Sequence, residues 1–155
     1  MRLIFSQDIL DLGDARIGGP TPRSVHEVSM PEANPKTILL VEDESISALE
    51  MRETLEGLGY EVLPVLASGD EVLGSVLSRR PDLIIMDIHL KSYIDGVDAV
   101  SRLRMVSQVP VIYVTAYTGE GVESRARGTS PADYLEKPVE ESRLKASVEK
   151  ALARP

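Results

Sequence analysis

From Thr37 onward the sequence alternates, five times over, between a short apolar run and a longer stretch with helical spacing. The runs are "TILLVE", "YEVLPV", "PDLIIMD", "PVIYVT" and "ADYLEK". Continuous apolar runs such as "LIIM" mark strands covered on both faces, the habit of a parallel sheet under helices. Parallel neighbours need a crossover, and the helical stretches supply it. The fold class expected is therefore α/β, a doubly wound parallel sheet of five strands. The order 2-1-3-4-5 places the second strand at an edge, where Pro64 costs no ladder hydrogen bond.

The helical stretches have apolar stripes. Leu49, Met51, Leu55 and Leu58 share a broad face that Gly57 and Gly59 end; Val72, Leu73, Val76 and Leu77 share another. Val97, Val100 and Leu103 mark the third, and Leu144, Val148, Ala151 and Leu152 the last. The fourth, between Tyr117 and Pro131, is the weakest, with Gly119, Gly121 and Gly128 inside it. One Phe, five Tyr and no Trp mean that the core is aliphatic.

Residues 1–36 are different. "GGPTPRS" and "MPEANP" read as an N-terminal extension or linker, in part disordered, and only "FSQDILDL" has the pattern of a short helix, with Ser6 as its cap. A docking or dimerisation arm is the other reading of this segment. Residues 37–153 form the folded domain. The formal net charge of −8 and the absence of a Lys/Arg-rich run argue against direct nucleic-acid binding. No apolar run approaches the ~20 residues of a membrane span. With no cysteine there is no disulfide and no thiolate site, which suits the cytoplasm.

In open parallel sheets, sites form at the carboxyl ends of the strands. There the sequence places Glu42, Asp43 and Glu44 after strand one, Asp87 at the end of strand three, Thr115 at the end of strand four and Lys137 after strand five. Crowded carboxylates repel one another unless a cation joins them. Hard oxygen ligands with waters completing the shell describe Mg²⁺. A cation, an amine and a hydroxyl together suit a phosphoryl group, which a carboxylate such as Asp87 can accept. Glu42 to Glu44 also suit a helix N-terminus, a role compatible with metal binding.

These fragments resemble the response-regulator receiver domains of two-component signalling, the CheY-like type with a flavodoxin-like fold. "LLVEDE" is similar to the family's acidic pair and implies Glu42 and Asp43 as metal ligands. "PDLIIMDIHL" is similar to the phosphoacceptor strand and implies Asp87 as acceptor and ligand, with the backbone carbonyl of His89 completing the set. "VTAY" implies Thr115 as the switch hydroxyl, with small Ala116 beside it. "EKP" implies Lys137 before a cis proline, Pro138, and Tyr134 occupies the position of the family's aromatic switch. The loop "HLKSYIDG" departs from the usual pattern by what looks like one extra residue before Gly96, as in a subgroup with "IHLK"-type loops.

The resemblance implies Mg²⁺-dependent phosphorylation of Asp87 by a sensor histidine kinase or a phosphotransfer protein. It also implies an output protein recognised by the face of helix four, strand five and helix five, a face through which a homodimer can also form. The expected chain is a switch and not a dedicated enzyme. A pseudo-receiver that binds without being phosphorylated, and a receiver fragment of a hybrid histidine kinase acting in a phosphorelay, stay open. A haloacid-dehalogenase-like phosphatase is disfavoured, because such enzymes carry a second Asp where this chain has His89.

Overall fold

A computed structural model describes residues 33–116 and 119–155. The chain divides into residues 1–34 and 35–155, and the expected helix in "FSQDILDL" lies outside the described residues. The strands are β1 (Thr37–Val41), β2 (Glu61–Val62), β3 (Leu83–Asp87), β4 (Val111–Thr115) and β5 (Asp133–Glu136). The helices are α1 (Ser45–Gly57), α2 (Val72–Arg79), α3 (Gly96–Leu103), α4 (Glu120–Gly128) and α5 (Glu141–Leu152). All strand pairs are parallel and the order is β2-β1-β3-β4-β5, as expected. No helix among the described residues is long and apolar enough to cross a membrane.

The two-residue period of the strands builds two cores. Leu39, Val41, Ile84, Met86, Val111 and Tyr113 point to one side, where α2, α3 and α4 supply Val72, Val76, Val97, Val100, Leu103 and Ala126. Ile38, Leu40, Leu83, Ile85, Ile112 and Val114 point to the other, against Leu55 of α1 and Leu144, Val148 and Ala151 of α5. The central strands β1, β3 and β4 are thus apolar through their middles because both faces are interior.

Several local expectations change. The second strand keeps only two residues of "YEVLPV", yet the chain stays beside β1: the amide of Leu63 donates to Ile38 and that of Leu66 to Leu40, so the ladder skips Pro64. Leu49 and Leu77, read as core, are 56% and 58% exposed, because the sheet meets only the Ala48–Leu55 and Val72–Val76 sides of their helices. Gly57 lies inside α1; Gly59, at φ +94°, ends it by letting Gly59 and Tyr60 donate back to Glu56 and Leu55. Gly119 and Gly128 fall at the ends of α4, so Gly121 alone sits in its body.

Two contacts fix the ends of the strands. The amide of Gly96 donates to Ile88, 3.0 Å away, and a Cβ at Gly96 would collide with the carbonyl oxygen of Asp87. At the opposite end Asp82 accepts from the Thr37 amide (2.9 Å), the Thr37 hydroxyl (3.1 Å) and Lys36 (3.1 Å), joining β1 to β3. Burial opposes ionisation of Asp82, but these donors outweigh it and hold the carboxyl below its usual range.

Gly96→Ala is expected to lower stability by ~3 kcal/mol, the upper end for overpacking, read as the urea midpoint. Asp82→Asn is expected to cost about 1 kcal/mol at neutral pH. A lowered carboxyl pKa stabilises above the unfolded value, about 3.9, and that stability is lost as pH falls through the folded value. The gap between Asp82→Asn and the unaltered protein should therefore close below about pH 4, measured by urea titrations across the acid range.

Candidate functional site

The carboxyl ends of β1, β3, β4 and β5 bring the polar residues together as their spacing predicts. Glu42 and Asp87 are 6% and 7% exposed, and Thr115 is fully buried. Each buried acid is held by an amide two residues on. Glu44 donates to Glu42 Oε1 and His89 to Asp87 Oδ1, both at 3.0 Å. Asp43, half-buried, accepts from the amide of Lys91 at 2.9 Å. Glu44 is the residue at which α1 begins, so its carboxylate lies outside the cluster and accepts from Ser47.

One ligand oxygen from each of Glu42, Asp43 and Asp87 lies within 4.8 Å of the others. In octahedral Mg²⁺ coordination at ~2.1 Å, ligand atoms stand about 3.0 Å (adjacent) to 4.2 Å (opposite) apart. The three oxygens, within 4.8 Å of one another, stand close to that span. Lys137 reaches across from β5: its Nζ is 2.5 Å from Glu42 Oε2 and 3.4 Å from Asp87 Oδ2. Three carboxylates against one ammonium leave the charge of one divalent cation to be balanced. The donors are all oxygen, which suits Mg²⁺ over softer metals.

The electrostatic balance at each group agrees with that picture. Burial pushes the Glu42 carboxyl up and the negative charge of Asp87 adds to it, against the pull of Lys137 and the Glu44 amide. Burial pulls Lys137 down, but the hydrogen bond it donates to Glu42 and the charges of Asp87 and Glu42 prevail, so its pKa is raised and it stays cationic.

The remaining expected residues lie where the sequence puts them. The carbonyl of Thr115 accepts from the Lys137 amide at 2.8 Å, which ties β4 to the lysine, and the Lys137–Pro138 peptide is cis. Tyr134 lies beside Tyr113 on β4, with ring centroids 6.4 Å apart. Its hydroxyl is buried and has no partner among the described residues. Burial, then Glu123 and Glu136, raise its pKa. Tyr113, fully buried and bonded to Thr129 at 2.8 Å, is pushed up to about 12 by burial.

Three supports of the site escape a reading by residue type. Arg104 donates to the carbonyls of Thr129 (3.0 Å), Val109 (2.8 Å) and Ser107 (3.3 Å), joining the ends of α3 and α4 to the entry of β4. Arg125 of α4 pairs with Asp95 (3.2 Å) and Asp98 (2.8 Å) at the start of α3. Ser92 and Gly69 join the β3–α3 loop to the turn before α2. The sequence signals for them are faint: an arginine at the end of an apolar stripe, an acid before a helix, a lone glycine.

Residues 38–149 match the family described as Response regulator receiver domain. The Transcriptional regulatory protein PdtaR of Mycobacterium tuberculosis is 32% identical over 122 residues, 79% of this chain and 59% of that protein. The Phyllosphere-induced regulator PhyR of Methylorubrum extorquens is 36% identical over 121 residues, 74% of this chain and 43% of that protein. This chain thus spans about half the length of those two relatives. The Polar-differentiation response regulator DivK of Brucella anthropi is 34% identical over 108 residues, which cover 68% of this chain and 86% of DivK. Among solved structures, the signal receiver domain of a modulated diguanylate cyclase from Desulfovibrio desulfuricans superposes with TM-score 0.73 at 35% identity, over 77% of this chain and 94% of that one. With the strand order and the rim of acids, threonine and lysine already in place, the match leaves one conclusion: the chain belongs to the response-regulator receiver domains of two-component signalling.

Proposed function

We propose that this receiver domain accepts a phosphoryl group on Asp87, with Mg²⁺ held by Glu42, Asp43, Asp87 and the backbone carbonyl of His89. The observation that carries this reading is the grouping of three carboxylates within 4.8 Å, two of them buried, under a single lysine. Such a cluster is costly to maintain unless its charge is used. The ion, when bound, supplies charge neutralisation and orients the donor's phosphoryl oxygens.

The chain's own residues do the rest. The amide of His89 fixes the Asp87 carboxylate in one rotation, so its other oxygen faces Lys137 and the incoming phosphorus. A bond forms between that oxygen and phosphorus as the bond from phosphorus to the donor's histidine nitrogen breaks. Lys137 exchanges its pairing with Glu42 for a phosphoryl oxygen, and the Thr115 hydroxyl takes another. Tyr134, packed against Tyr113 with a hydroxyl unpartnered among the described residues, is the side chain that changes place as Thr115 moves. The donor is a sensor histidine kinase or phosphotransfer protein and the output is a protein met by the α4–β5–α5 face, biased between two states. The domain is a switch and not a dedicated enzyme, working in the cytoplasm.

Incubation with acetyl phosphate and Mg²⁺ should add one phosphoryl group to the intact mass. Chelation by EDTA and the change Asp87→Asn should each abolish the gain. A gain that survives Asp87→Asn would place the acceptor elsewhere, and no gain from folded, Mg²⁺-bound protein would favour a binding module that is not phosphorylated.

A further inference from the structure

Of the three acids, Asp43 is the least enclosed, and the amide that orients it comes from 48 residues away, at Lys91. The position of that amide is set by the β3–α3 loop. The loop is held down at both ends of the short stretch 90–94, since Leu90 and Ile94 are 7% and 6% exposed and sit in the core. Between them Tyr93 is 97% exposed, so it contributes no packing that would fix the backbone.

Ser92 supplies the fixing. Its hydroxyl donates to the carbonyl of Ile94 at 2.7 Å and accepts from the amide of Gly69 at 3.2 Å. Gly69 is buried in the turn before α2, and a Cβ there would stand 2.5 Å from the Ile94 carbonyl oxygen. The loop and the turn therefore meet backbone to backbone, and one hydroxyl bonds to both. Its donor hydrogen and an acceptor lone pair are both used, so an alanine would leave the Gly69 amide and the Ile94 carbonyl without these bonds.

We propose that Ser92 is a positioning residue for the cation site: by splinting the loop to Gly69 it places the Lys91 amide that aims the Asp43 carboxylate at the ion. This rests on the reading of the rim as a Mg²⁺ and phosphoryl site. The route is Ser92 to the loop, the loop to the Lys91 amide, that amide to one oxygen of Asp43, leaving the other oxygen for the ion. Partners that orient metal ligands typically change metal affinity 10–100-fold when removed.

The test is calorimetric titration of the full chain with Mg²⁺ at fixed ionic strength, alongside the melting temperature in EDTA. Ser92→Ala is expected to weaken Mg²⁺ binding about tenfold with little change in the metal-free melting temperature. Ser92→Thr, which keeps the hydroxyl, should restore binding. With acetyl phosphate, Ser92→Ala should raise the Mg²⁺ concentration for half-maximal labelling and leave the rate at saturating Mg²⁺ unchanged, a split that simple loosening of the fold would not give. Gly69→Ala, which pushes the turn off Ile94, should weaken Mg²⁺ in the same way and serves if Ser92→Ala fails to fold. Tight binding by the unaltered protein with equal binding by Ser92→Ala, or by Gly69→Ala in that case, overturns this proposal alone. No Mg²⁺ binding by the unaltered protein overturns the reading of the rim, and this proposal with it.

Discussion

Like charges crowd together at the carboxyl edge of this sheet, and much of the structure exists to keep them there. Glu42 and Asp87 are nearly as buried as the leucines beside them, and both face one lysine. Left to themselves, such carboxylates would turn toward water or take up protons. Here their geometry is set by backbone. The amides of Glu44 and His89 hold one oxygen each, and the close seat of Gly96 on the Asp87 carbonyl stops the strand end from shifting. The aliphatic layers on the two faces of the sheet supply the rigidity against which that repulsion is held.

The sheet and its order were legible from Thr37 onward because continuous apolar runs and helical stripes are different periods in one string. The site was legible for a related reason. Glu42, Asp43, Asp87, Thr115 and Lys137 are polar residues at or just past the ends of apolar runs, and parallel topology sends all such ends to one edge. What failed follows from the same physics. Leu49 and Leu77 carry the right spacing, but periodicity counts apolar residues without saying which flank of a stripe meets the sheet. Pro64 was placed at an edge correctly, though the paired strand beside it is only two residues long.

Most supports of the site were illegible because their partners are backbone atoms; the pairing of Arg125 with Asp95 and Asp98 is the side-chain exception. Arg104 bonds three carbonyls, Ser92 a carbonyl and an amide, and Gly96 yields space to a carbonyl. Every residue has such groups, so no residue type announces the contact. Two of these supports, Ser92 and Gly96, bear on the loop between β3 and α3, which is thus anchored by contacts of the least sequence-specific kind.

The two attachments of α4 differ in kind. Its C-terminal end is tied through Thr129 to a half-buried guanidinium and a buried tyrosine, where water and salt have little access. Its middle is tied to α3 by Arg125 and two acids, all substantially exposed. Ionic strength weakens the second tie and leaves the first almost untouched. The helix is thus hung like a door, with a fixed post at Thr129 and a latch whose grip the surrounding electrolyte sets. How firmly α4 is held against α3 is therefore a property of the solution as well as of the chain.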